Sequence, residues 1–281
     1  MYTKNEKLMK LIDKKKVLIV AHRGSCGGNL CQNTHLTFKA ALIQGADILE
    51  LDVIKSADDI FYVYHSNQDQ RILHLQDNIH NLTSKQIDEL EIYNWLDEPS
   101  GLHLERLDDI LNEFEDQCLI NIDRSWVYMD EILAYLKARR HDSIILKTPI
   151  KDEYLEKLEK SGLDVMYMPI AYSLKELERC MDYDINLSAV EMIFRDLSLD
   201  LVQPDTFELC KKLNLATFAN AETLGREERF MISAGLGDNL SIEKGFEHGW
   251  GKLVDMGFGI IQTDWVAILN QYLRERLKSS R

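Results

Sequence analysis

Nowhere do apolar residues run for the roughly 18 positions that a membrane-crossing helix needs. Lys and Arg form no long cluster, and the formal net charge is −14. Proteins that grip a phosphate backbone normally carry a basic patch, so nucleic acid is not an expected partner. The five cysteines (Cys26, Cys31, Cys118, Cys180 and Cys210) contain no Cys-x-x-Cys pair. An odd, scattered set points to reduced thiols, with the cytoplasm as the expected setting. Cys26 and Cys31 share a loop, but the further soft ligands of a zinc site are missing. Met1 to Lys16 has lysines and no apolar h-region, so it does not read as a secretory signal. Domain linkers, internal repeats and low-complexity tracts are also absent. The 281 residues are therefore expected to form one domain, 1–281.

What is present is a repeated alternation of short apolar runs and helical patterns. The stretch Val17-Leu-Ile-Val-Ala-His-Arg-Gly24 sets the type. Five apolar residues without polar alternation read as a strand buried on both faces, as in a parallel sheet. Further strands are expected at 47–54, 118–123, 143–147, 165–170, 186–192, 215–219 and 259–263. Helices are expected at 34–44, 107–114, 129–139, 152–161, 174–184, 204–213, 246–256 and 265–277, with a charged helix at 3–15 capping one end. Eight strand–helix units predict an α/β fold, a (β/α)8 TIM barrel, whose usual length is about 250 residues. Residues 55–117 are too long for an ordinary crossover and read as an insertion on the barrel rim. Residues 221–245 read as a second insertion. Trp250 and Phe246, at helical spacing, read as core.

Chemistry-bearing residues fall at the carboxyl ends of these strands, where barrels of this kind gather their reactive groups. His22 and Arg23 follow the first strand. Glu50 and Asp52 share one face of the second, because side chains alternate with period two. Two such carboxylates repel and lose solvation, so either a cation lies between them or one holds a proton. Asp123 and Lys147 end the next two strands, and His65 follows a short run, Ile60–Tyr64. Oxygen ligands favour a hard divalent cation, Mg2+ or Ca2+. The two histidines fit a general acid and base. Arg23, Lys147 and the cation fit charge on a phosphoryl group. Together they argue for metal-assisted cleavage of a small-molecule phosphate ester. Asp264 is expected to close the last barrel turn or cap the helix at Trp265, and Asp238 is not counted in the site. His74, His80, His103, His141 and His248 read as surface or packing residues.

The motifs His22-Arg23-Gly24, Cys31-Gln32-Asn33-Thr34, Glu50-Leu51-Asp52-Val53, Tyr64-His65, Asn121-Ile122-Asp123 and Ile261-Gln262-Thr263-Asp264 occur in this order. Their order and spacing, over nearly the whole chain, resemble the glycerophosphodiester phosphodiesterases. The resemblance implies that Glu50, Asp52 and Asp123 hold one divalent cation. It implies that His22 and His65 are acid and base, and that Arg23 touches the phosphate. Four departures bear on the substrate more than on the reaction. Cys31-Gln32 stands where the family has Pro-Glu, Asp123 where it has Glu, and Ser125 where it has Lys. Lys147 is the nearest replacement for that charge. Thr217-Phe218-Ala219-Asn220 stands for Trp-Thr-Val-Asn, which leaves Phe218 as the aromatic wall on the substrate side. Two other readings stay open: a phospholipase D-like barrel acting on membrane lipid, and a barrel that binds a phosphodiester without turning it over. Oligomeric state is not legible.

Overall fold

The structure, a computed structural model, describes residues 5–225 and 232–279. The insertion expected at 221–245 therefore lies partly outside the described residues. Eight strands pair in parallel and close into a barrel. They are β1 (Leu18–Ala21), β2 (Ile48–Lys55), β3 (Leu119–Asp123), β4 (Ile144–Pro149), β5 (Met166–Ala171), β6 (Ala189–Met192), β7 (Ala216–Asn220) and β8 (Ile260–Thr263). Closure is direct: Leu18 stands opposite Ile260, and Val20 opposite Ile48.

The strands are buried on both faces, which is why β1 reads as an unbroken apolar run and the others carry polar residues only where their inward face reaches the mouth. Leu49, Leu51, Ile120 and Ile122 face outward and pack with Phe38, Leu111 and Ile132 of the surrounding helices. Leu18, Ile48, Leu119, Ile145, Met166, Ala216 and Ile260 fill the barrel interior. The helix Glu6–Lys15 closes the amino-terminal end, where Leu8 is fully buried in that interior cluster.

Two residues further along the same inward face, most strands change character. Ile48 is followed by Glu50 and Asp52, Leu119 by Asn121 and Asp123, and Ile145 by Lys147. Ala189 is followed by Glu191, Phe218 by Asn220, and Ile260 by Gln262 and Asp264. The period-two rule thus builds an apolar floor beneath a polar mouth.

The insertion after β2 hangs on that strand's outer half. Phe61–Val63 runs antiparallel to it, with Val53 opposite Val63, and Glu105–Arg106 adds a further strand. A hairpin, Glu91–Tyr93 with Pro99–His103, lies outside the barrel sheet. Tyr62, Ile79, Ile87 and Ile92 give the insertion its own apolar cluster. The helices expected at 174–184 and 246–256 are shorter in the structure. The first ends at Cys180, and the second begins at Trp250 after a separate turn of Phe246–His248, because Gly249 (φ −111°, ψ −89°) breaks the run. Among the described residues no helix is long and apolar enough to cross a membrane.

Candidate active site

The chain turns sharply out of β1. Arg23 (φ 55°) and Gly24 (φ 79°) both take left-handed backbone. A Cβ at Gly24 would lie 2.6 Å from Thr37 Oγ1 and 2.8 Å from that residue's carbonyl carbon, so only glycine fits. This turn aims the Arg23 backbone N–H at Glu50 Oε2, to which it donates at 2.9 Å. The guanidinium Nε lies 3.0 Å from Asp52 Oδ2. Asn33, also left-handed at φ 59°, donates from Nδ2 to Asp52 Oδ2 at 3.0 Å.

Glu50 and Asp52 are 1% and 0% exposed, and Asp52 stands opposite Asp123 in the β2–β3 register. One oxygen from each of Glu50, Asp52 and Asp123 lies within 4.8 Å of the others. The donor set fits a hard divalent cation: all oxygen, all anionic, and two of three deeply buried. Asp52 Oδ1 accepts no hydrogen bond although it is buried; its neighbour is Arg124 Nε at 3.2 Å. Burial, and then the field of Asp52, push the Glu50 carboxyl up to about 8. Burial acts on Asp52 in the same direction, but Arg23, His65 and the Asn33 hydrogen bond hold its carboxyl below the usual range.

His22 Nδ1 lies 2.9 Å from Asp264 Oδ1. Burial by itself would favour the neutral ring; the Asp264 hydrogen bond and the fields of Glu222 and Glu50 outweigh it and raise His22 to about 9. Asp264 is held in turn: its N–H donates to Asp238 Oδ2 at 3.0 Å, while Asp238 Oδ1 accepts from Thr263 Oγ1 and Trp250 Nε1. Burial raises Asp238 to about 6. His65 follows Tyr64, whose N–H donates to the Asp52 carbonyl at 2.9 Å. Burial is the chief cause that holds His65 below its ordinary value, and its Nδ1 is buried without a partner.

Lys147 reaches the centre but is 2% exposed, with Nζ 2.8 Å from Asp123 Oδ2 and 3.0 Å from Glu191 Oε2. Burial opposes its charge, yet Asp123, Glu191 and Glu50 raise it above its ordinary value. Beyond it a hydrogen-bonded chain crosses the mouth. Asn220 Nδ2 donates to Glu191 Oε1, and Gln262 Nε2 donates to Asn220 Oδ1 and to Glu222 Oε1. Burial raises Glu222 to about 7.

The structure thus gathers His22, Arg23, Glu50, Asp52, His65, Asp123 and Lys147 at one mouth. Phe218 does not join them: it is 1% exposed inside the apolar floor with Val20, Met168 and Ile260. Lying two positions before Asn220, it packs one turn of the pleat too deep to line the mouth. Asp264 faces His22, a partnership that chain order does not announce across 242 positions. Sequence reasoning passed over Arg124, Glu191 and Glu222, and left Asn220 and Asp238 out of the site. Period-two alternation on β6 and β7 carried a signal for Glu191 and Asn220. Arg124 had none, since its reach depends on the left-handed turn (φ 58°) just past β3.

Residues 22–165 match the model of the glycerophosphoryl diester phosphodiesterase family. A second family model, a domain of unknown function, matches residues 167–273. The junction between the two falls at Met166, the first residue of β5, within the closed barrel. No curated protein matches by sequence. Solved structures of similar fold include a glycerophosphodiester phosphodiesterase from Agrobacterium tumefaciens (20% identity, 89% of this chain and 97% of that one, TM-score 0.65). Another is from Thermotoga maritima (18% identity, 91% and 98%, TM-score 0.63). A phosphodiesterase from Oleispira antarctica, in complex with the product sn-glycerol-3-phosphate, is similar at 17% identity (92% and 96%, TM-score 0.63). At these identities the solved structures establish the fold alone. With its family model matched over half its length, this chain belongs to the glycerophosphoryl diester phosphodiesterase family.

Proposed function

We propose that the protein hydrolyses glycerophosphodiesters to an alcohol and glycerol phosphate. The observation that carries this reading is the carboxylate trio Glu50, Asp52 and Asp123, flanked by His22, His65 and the Arg23 guanidinium. The Oleispira antarctica relative, with its glycerol phosphate product, supports the substrate class. Glu50, Asp52 and Asp123 would hold one divalent cation, Mg2+ or Ca2+, which when bound supplies Lewis-acid stabilisation of a phosphoryl oxygen. Arg23 orients the phosphate as a planar cation. His65, favoured neutral, takes the proton of the attacking oxygen: water, which gives glycerol phosphate directly, or the glycerol hydroxyl, which gives a cyclic phosphate that a water then opens. As the bond from phosphorus to the leaving oxygen breaks, His22, held protonated by Asp264, returns a proton to that oxygen. Lys147 holds Asp123 in place instead of meeting substrate, and Phe218 supports the floor.

The test is release of alcohol from a panel of soluble glycerophosphodiesters, with EDTA and then with added Mg2+ or Ca2+. Turnover restored by the cation, and lost in Glu50→Gln, is the expected result. Turnover that survives both EDTA and that substitution would overturn it.

A second reading, action on a diester carried by a lipid, has one observation in its favour. Trp95, Leu96, Val127, Tyr172 and Trp265 are exposed, and all sit on connections that leave the carboxyl ends of barrel strands. Aromatic side chains of this kind suit a membrane interface. The net charge of −14 opposes an anionic surface, so the lipid would be zwitterionic. Faster turnover of a lysophospholipid in zwitterionic vesicles than of its soluble counterpart would favour it.

A further inference from the structure

A pocket of about 260 Å³ lies between the loop after β1 and the tip of the hairpin 91–103. It shares a wall with the phosphate site: Gln32, in its lining, accepts from Arg23 Nη1 at 3.4 Å and donates to Gln68. Its other walls come from Cys26, Cys31, Ile72, Tyr93 and Trp95, with Arg71, Asn94 and Asp97 also in the lining. We propose that this pocket takes an uncharged, apolar substituent of the phosphodiester, so that the enzyme selects diesters bearing a short alkyl or acyl group beside the phosphate. The inference rests on the phosphodiesterase reading above.

Three observations carry it. The lining residue nearest the phosphate arginine is Gln32, a neutral side chain, so that wall offers no carboxylate to a cationic head group. The charged residues of the lining are already paired: Arg71 lies 5.1 Å from the ring centroid of Trp95, itself a wall of the pocket, and Asp97 lies 2.7 Å from His74 Nε2. His74 stacks on Tyr93 with centroids 3.6 Å apart, which holds that wall flat. The volume is just below the ~300 Å³ at which sites for whole drug-sized ligands begin, so it suits one short chain or a single ring. Trp95 is 71% exposed at the rim, where it would close over such a group.

The experiment uses the full chain with added Mg2+ or Ca2+ and two substrate series. One carries n-alkanols from ethanol to hexanol as the leaving group on glycerol phosphate. The other carries acyl chains of two to six carbons on the glycerol of glycerophosphoethanolamine. A buried methylene stabilises by an amount worth about fourfold in kcat/KM, so the four methylenes between the shortest and the longest member should give a rise of roughly two hundredfold in one series. The series that rises tells which side of the phosphate the pocket serves. In Trp95→Ala the ratio of longest to shortest falls to less than tenfold; taken within one variant, this ratio cancels any general loss of activity. Binding of n-hexyl phosphate against ethyl phosphate, read from tryptophan fluorescence, gives a second readout without turnover. A flat series with turnover intact, or a ratio unchanged in Trp95→Ala, overturns the pocket assignment. A binding gradient with no turnover of any diester keeps the pocket and removes the hydrolase reading.

Discussion

Replacing Lys147 with Met deletes the cation between the buried Glu191 and the partly buried Asp123. Asp123 Oδ2 and Glu191 Oε2 lie 2.8 and 3.0 Å from Nζ, and Lys147 is 2% exposed. At an effective dielectric constant near 20, each contact carries about 5–6 kcal/mol of attraction, much of it offset by the desolvation of three charges. Removing one partner leaves Glu191 buried and Asp123 partly buried without a counter-charge; breaking a buried pair typically costs about 3–5 kcal/mol. With unfolding entropy near 2.1 cal/mol/K per residue, a chain of 281 residues should then lose about 5–8 °C in Tm. The assay is thermal and urea unfolding of the metal-free protein at pH 8. Two controls isolate the electrostatic part. The pair Lys147→Met with Glu191→Gln should recover a large share of the loss. Divalent cation should raise the Tm of Lys147→Met by more than that of the parent, because Asp123 has lost its counter-charge. A loss under 1 kcal/mol, or an equal loss in the double variant, would refute the reasoning that Lys147 works as a positioning cation.

Metal-free stability should depend on pH through His22. Its folded value, about 9, lies above the ordinary 6.5, so its contribution is full below pH 6.5 and fades as pH rises through about 9. Urea midpoints across that window should slope downward in the parent and lose that part of the slope in His22→Gln or Asp264→Asn. Glu50, raised to about 8 by burial first, has the same sign: the folded protein holds its proton longer, and stability falls as pH rises through that value. Added Mg2+ or Ca2+ needs the ionised carboxylate, so the Tm gain should be larger at pH 8.5 than at pH 6 and vanish in Asp52→Asn. Gly24→Ala should cost roughly 1–3 kcal/mol for the positive φ, with the Thr37 clash adding to it, and should also lower kcat by misplacing Arg23. Tm and steady-state kinetics on one preparation check both effects. Phe218→Ala should cost about 3–5 kcal/mol as a core cavity while KM for a soluble diester stays within about twofold; a large KM change with little loss of stability would return Phe218 to the substrate wall.

What the sequence by itself determined is periodicity and chain order. Short, mostly apolar runs alternating with helical patterns marked all eight barrel strands, because strands covered on both faces are polar only where they reach the mouth. Period two put Glu50 and Asp52 on one inward face, and the turn residues His22-Arg23-Gly24 marked the reactive edge. The insertion was legible as a segment too long for a crossover. Tertiary structure decided everything that depends on distance across the barrel. His22 meets Asp264 from the far end of the chain, since β1 and β8 are sequence termini and spatial neighbours. Lys147 has the right strand and the right face, but only the packed interior shows that its four-carbon stem ends between Asp123 and Glu191. Phe218 looked like a wall and proved to be floor, because depth along the barrel axis follows strand register and tilt. Arg124 reaches Asp52 only because the backbone past β3 turns left-handed. Such partnerships arise where unrelated segments converge, and local pattern carries no record of that convergence.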